Sequence, residues 1–188
     1  MNRLYGVAFS FFIFAILIYA VVEWHQSTQP SSTNVDNDLT PDFIAETLSS
    51  DIYNQEGRLA YNIDAARMEH FAEYEVTHFD QPKYTLYPSA GESPWKVSAN
   101  DGTLYGNNRV KLENRVTLMS TDANSLVQEI HGNYLELDLN TNILSSEQAI
   151  MIIGNGFTIY GSGLVVDLNT TQMKLNEHVQ TIYQNTNI

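Results

Sequence analysis

The stretch "YLELDLNTNILSSEQAIMII" occupies residues 134–153. Its first six letters alternate: Leu135, Leu137 and Leu139 fall on one side, Glu136 and Asp138 on the other. Successive side chains of a strand point to opposite faces, so a period of two reads as a half-buried antiparallel strand. Residues 140–142, "NTN", are turn chemistry, and a second apolar and polar run follows them. The segment is a β-hairpin. The letters "DLNT" at 138–141 return at 167–170, which makes the hairpin a repeated unit.

Three segments share the pattern of its second arm: "VKLENRV" at 110–116, "LSSEQAI" at 144–150 and "MKLNEHV" at 173–179. Each starts apolar, passes through a polar bend and reaches a β-branched residue six positions on. Each follows a turn built from Asn, Thr or Gly. A hairpin of this kind cannot bury its apolar face alone, so copies stack into a twisted sandwich or jelly roll. The segments upstream agree. In "LAYNIDA", Leu59, Tyr61, Ile63 and Ala65 share a face, and "KYTLY" at 83–87 and "WKVSA" at 95–99 also alternate. Turns are expected at 54–57, 89–92, 100–102, 106–108 and 140–142. Residues 64–75, "DAARMEHFAEYE", read equally well as a short helix or as the bend between two strands.

Residues 4–22, "LYGVAFSFFIFAILIYAVV", carry no charge. As a helix they would be about 28 Å long, enough to cross a hydrocarbon core. The apolar run is longer than that of a cleaved signal peptide and lacks a good cleavage site, so a retained anchor is expected. Arg3 precedes the run, whereas Glu23, Asp36 and Asp38 follow it with no Lys or Arg before Arg58. The positive-inside rule then leaves residues 1–3 as a cytoplasmic tail and everything after the span outside, which in a bacterial inner membrane is the periplasm. Residues 23–41 read as a polar linker and residues 42–188 as the folded domain. The expected fold class is all-β: a twisted antiparallel β-jelly roll, or open sandwich, on a single N-terminal transmembrane helix.

From Glu23 onward there are eight Lys and Arg against 22 Asp and Glu, a net of −14. Such a surface repels nucleic acid and anionic headgroups, so nucleic acid is not an expected partner. There are no cysteines, which removes thiolate metal sites, thiol nucleophiles and disulfides. "GNGFTIYGSG" at 154–163 has neither the dinucleotide-binding spacing nor the G-x-S-x-G elbow. It reads as a hairpin loop with positive-φ glycines. His70, Glu73, Glu75 and His78 do not converge as zinc ligands on an extended segment, and each DLNT has too few carboxylates for a hard cation. No catalytic residue, metal or cofactor is expected. A strand end at 177–184 carries neither Lys nor Pro to blunt it and reads as an exposed edge suited to strand addition.

The order and spacing of "YNQEGRLAYNIDAARMEHF" (53–71), "VTHFDQPKYTLY" (76–87), "PWKVSANDGTLY" (94–105), "RVKLENRV" (109–116) and "NEHVQTIY" (176–183), behind an anchor and linker, resemble the LptC family. That family is the bitopic inner-membrane component of lipopolysaccharide export. The resemblance implies a jelly roll that takes lipopolysaccharide from an inner-membrane ABC transporter of the LptB, LptF and LptG type and passes it to a soluble periplasmic LptA-type protein. Apolar alternation makes Tyr61, Ile63, Phe79, Tyr84, Leu86, Leu137, Ile152, Met173 and Tyr183 candidate inward positions for acyl chains, and the resemblance points most to Phe79, Met173 and Tyr183 along the groove. The resemblance implies partner contacts at the first strand (Leu48, Ile52, Tyr53) and the last (Glu177, Val179, Thr181, Tyr183). Gly57 and Gly154 are the expected structural turns. The alternative is an envelope adaptor of the same fold with a filled core, joining partners through sheet edges without binding lipid.

Overall fold

The computed structural model describes residues 40–88 and 92–183, apart from the side chains of His178 and Val179. The anchor expected at 4–22 and the linker as far as residue 39 lie outside the described residues. Among the described residues no helix is long and apolar enough to cross a membrane. The chain forms twelve strands: β1 (Phe43–Tyr53), β2 (Leu59–Phe71), β3 (Val76–Asp80), β4 (Lys83–Leu86), β5 (Trp95–Ser98), β6 (Asp101–Tyr105), β7 (Arg109–Ser120), β8 (Val127–Asp138), β9 (Ile143–Ser146), β10 (Ile150–Gly154), β11 (Phe157–Asp167) and β12 (Gln172–Tyr183). All belong to one hydrogen-bonded sheet, and every pairing is antiparallel. Residues 64–75 are not a helix. The strand runs on to Phe71, and a single 3-10 turn, Ala72–Tyr74, links it to β3.

The pairings reveal a simple plan. β2 pairs with β4 through residues 61–64 and with β3 through residues 67–71. β7 divides in the same way between β6 and β5, and β8 between β9 and β10. So β3 with β4, β5 with β6 and β9 with β10 are each a single rung, split at a bend. The long strands β1, β2, β7, β8, β11 and β12 cross the same bend without a break. The twelve strands thus make nine rungs that follow one another in chain order. Each cross-strand residue pair lies on one side of the bend or the other, and the two sides form two arms.

The bend has a backbone cause. Thr47, Gln81, Asn114, Arg115 and Gly163 all lie there with φ between 50° and 66°. A left-handed backbone kinks a strand, and polar or glycine residues tolerate it best; β2, β8 and β12 cross the bend without one. Registers slip at the same level: Glu113 pairs with Tyr134, but the next pair is Val116 with Gly132. This is a β-bulge, which bends and twists the strand that carries it. The polar bends read in the three repeated segments are these corners. Residues 100–102, expected as a hairpin turn, are instead such a corner: Ala99 and Asn100 separate β5 from β6, and Gly102 is already in the strand.

The arms enclose one apolar core running from Ile63 on β2 to Leu168 beyond β11. Leu112, Leu118, Ile130, Leu135, Leu137 and Leu144 are fully buried in it. Each such side chain is worth about 1.5–3 kcal/mol of burial.

The repeated DLNT is a structural ladder at the tip of one arm. Asp138 Oδ1 accepts the Asn140 and Thr141 N–H groups, and Asp167 Oδ1 accepts that of Asn169. Asn108 donates its side-chain amide to Asn140 Oδ1, and Asn142 repeats this with Asn169 Oδ1, both at 3.0 Å. In return Asn140 donates to the Asn107 carbonyl and Asn169 to the Thr141 carbonyl. The N–H groups of Leu139 and Leu168 donate to the Asn108 and Asn142 carbonyls. Asn108, Asn142 and Thr171 occupy equivalent left-handed positions, but Thr171 turns its hydroxyl back onto the Thr170 carbonyl. The ladder therefore stops at the third turn. Hydrogen bonds from the Asn169 N–H and then from Thr170 hold the Asp167 carboxyl below the usual carboxylate range. A lowered folded value means this cap is in place above the ordinary range and is lost as pH falls through the lowered value. Asn169→Ala removes two inter-turn bonds and should cost about 1–2 kcal/mol. The midpoint of urea unfolding measures this, and an unchanged midpoint would show that the ladder is ornamental.

Candidate functional site

The core runs along the stack of rungs. Ile63 and Ala65 on β2 and Leu164 and Val166 on β11 are already closed to solvent, whereas other apolar residues toward the two ends are only partly buried against the core. These are Leu48 and Ile52 on β1, Tyr61 and Met68 on β2, and Ile159, Met173 and Leu175 on β11 and β12. The result is one continuous apolar interior whose outermost rungs, β1 and β12, contribute only partly buried residues.

Of the expected inward set, Ile63, Phe79, Tyr84, Leu86, Leu137 and Ile152 are brought together in the buried core. Tyr61 and Met173 pack partly buried on its margins. Tyr183 does not join them. It closes β12 opposite Phe157 and is 80 % exposed. Tyr84 is unusual: its hydroxyl is buried with no hydrogen-bond partner among the described residues. Its ring lies 6.1 Å from that of Tyr61, at an interplanar angle of 48°. Burial, with a smaller contribution from Tyr61, pushes the Tyr84 phenol far above its ordinary value. Burial also raises Tyr61.

The stack of described strands ends at β1 and β12. Among the described residues β1 pairs with β2 alone and β12 with β11 alone. Leu48, Ile52 and Tyr53 lie on β1, and Glu177, Val179, Thr181 and Tyr183 on β12. The Ser162 hydroxyl donates to Glu177 Oε2 at 2.9 Å and ties β12 to β11 at the bend. β1 begins at Phe43. Residues 43–46 already pair with 67–70. Phe43 and Ile44 are largely exposed, so no inward and outward alternation marks this start.

The two expected glycines act for different reasons. Gly57 has φ 73° in the turn after β1, with open space around it, so backbone conformation alone selects it. The Asn54 side chain caps the same turn by accepting the Glu56 and Arg58 N–H groups. Gly154 is selected by space: the Phe157 ring lies across it where a Cβ would stand.

The histidines are separately satisfied. His70 pairs with Thr77 at 2.9 Å and His78 with Thr103 at 3.0 Å. Glu75 sits in the turn with φ 51°, off the strand that carries His78. A surface hollow of about 530 Å³ at the bend, lined by Arg115, Thr117, His131, Asn133, Met151 and Tyr160, had no signal in the sequence. Its lining comes from four rungs that only the pairing brings side by side.

A family model described as lipopolysaccharide-assembly, LptC-related, matches residues 11–184, most of the chain. The chain belongs to the LptC family. Among its relatives is the lipopolysaccharide export system protein LptC of Haemophilus influenzae. It is 24 % identical over 193 residues, covering 92 % of each chain. The protein of the same name from Escherichia coli K12 is 24 % identical over 170 residues, covering 90 % of this chain and 88 % of its own. LptC is a component of lipopolysaccharide transport and not an enzyme, in keeping with the non-catalytic reading of the sequence.

Proposed function

We propose that this LptC-family chain is a lipopolysaccharide-binding bridge. In this reading residues 4–22 cross the inner membrane with the N-terminus in the cytoplasm, and residues 42–188 form a periplasmic jelly roll. The interior takes the acyl chains. β1 meets an ABC transporter of the LptB, LptF and LptG type, and β12 meets a soluble LptA-type protein. The supporting observation is the single apolar interior that runs through nine rungs and ends at β1 and β12, beyond which no further described strand pairs. A partner of similar fold, added edge to edge, would lengthen both the sheet and the interior.

Loading requires the arms to part. No residue of one arm pairs with a residue of the other, so opening breaks side-chain packing rather than the ladder, and the left-handed corners are natural hinges. Acyl chains replace what is lost, at about 0.8 kcal/mol for each buried methylene. The net charge of −14 beyond the anchor argues against recognition through lipid phosphates, so affinity should vary little with salt.

A photoreactive residue at position 79 or 173 tests the reading, with position 136 as control because Glu136 points away from the core. Lipopolysaccharide should crosslink at 79 and 173 and not at 136. Equal labelling at all three, or none, overturns it. The adaptor reading has one observation in its favour, the closed packing of the central rungs. It predicts that no lipopolysaccharide co-purifies with the protein.

A further inference from the structure

A phenol buried without a hydrogen-bond partner is expensive, at about 1–3 kcal/mol. Phenylalanine would fill the same volume without that cost. Among the described residues Tyr84 Oη is the only buried side-chain polar atom left in this condition. The two buried polar residues elsewhere differ: Ser146 donates to the Tyr134 carbonyl at 2.7 Å, and Thr77 bonds His70.

The position of Tyr84 gives the hydroxyl a use. The β1 end of the interior is loosened at Ile52 and Tyr61, which face each other across the β1 and β2 pairing. Tyr84 is one rung further in. It pairs with Ile63 on one side and Val97 on the other, and its ring leans on that of half-buried Tyr61. A chain entering past β1 would meet Ile52, then Tyr61, then the buried core at Tyr84 with its one unpaired O–H. We infer that the Tyr84 hydroxyl reads an oxygen borne on the acyl chain itself, a hydroxyl or acyloxy group. Tyr84 then determines specificity: it separates oxygen-substituted acyl chains from plain ones. A plain chain leaves the phenol unsatisfied in the loaded state, and a substituted chain satisfies it. This rests on the lipid-binding reading above.

The test uses the full chain in nanodiscs and displacement of a fluorescent acyl probe by methyl 3-hydroxytetradecanoate or methyl tetradecanoate. The wild type should prefer the hydroxylated ester by about five- to tenfold, the effect of one hydrogen bond. Tyr84→Phe should erase the preference and melt no lower than the wild type without ligand. The inference is overturned if the wild type binds both esters equally, or if Tyr84→Phe keeps the preference. It is also overturned if the ligand-free variant melts lower, because the hydroxyl would then have a partner in the empty protein. Binding of neither ester by the wild type overturns the lipid-binding reading itself, and this inference with it.

Discussion

Removal of residues 177–188 lowers capture of a soluble partner of the same fold by about 100-fold or more, while lipid still crosslinks at position 79. Residues 178–183 are the part of β12 that lies in one arm, where they pair with 157–161. The part of β12 in the other arm, residues 172–175, stays paired with 164–167 after the cut. Its turn also keeps the asparagine ladder. The loss is therefore confined to one stretch of edge. Strand addition there would form several backbone hydrogen bonds, each worth about 0.5–1.5 kcal/mol net, and losing them together gives the expected fold-change. Titration calorimetry with the soluble partner measures it. Capture at normal affinity by the truncated chain would show that the bridge is built elsewhere. Removal of residues 43–46 is the matching control, since it shortens the opposite edge and should spare the soluble partner.

Gly161→Val is the most damaging single substitution expected in the β11 and β12 hairpin. A Cβ at this position would stand 2.5 Å from the Glu177 carbonyl oxygen and 2.5 Å from Leu175 Cδ2. The leucine can rotate, but the carbonyl is backbone, so β12 must move off β11 at the bend. The cost should be about 3 kcal/mol or more, and the distorted β12 should lose partner capture as well. Gly154→Val offers a calibrated contrast. There the obstacle is the Phe157 ring, a side chain able to swing into solvent, and the cost should be about 1–2 kcal/mol. Equal urea midpoints for the two variants would contradict this reading of the bend.

Much of this was legible in the residues. The alternation of Leu135, Leu137 and Leu139 against Glu136 and Asp138 marks a strand, and the returning DLNT marks equivalent turns, because side-chain period and turn chemistry are local properties. Family membership was legible too, through the order of segments along the chain. The bends were only half legible. Their polar residues stand out, but Ala99 and Asn100 look like a hairpin turn in the sequence. Whether a polar break reverses a chain or merely kinks it depends on what it pairs with on either side.

β8 illustrates what periodicity cannot carry. Its buried set passes from Ile130 to Leu135 and Leu137, an even position to odd ones, because Gly132 and Asn133 cross the corner opposite the Asn114 and Arg115 bulge. On β12 the same corner leaves Met173 against the core and Tyr183 in solvent. The asparagine ladder joins residues 27 to 33 positions apart, and the orphan hydroxyl of Tyr84 exists only because its rung lies behind that of Tyr61. The chain alone settles which residues prefer to be extended, turned or buried, since those preferences act over a few neighbours. Which edge, which orphaned hydroxyl and which side of a corner each residue receives is settled by the register of nine rungs. That register is set by pairing between distant residues, which no local pattern encodes.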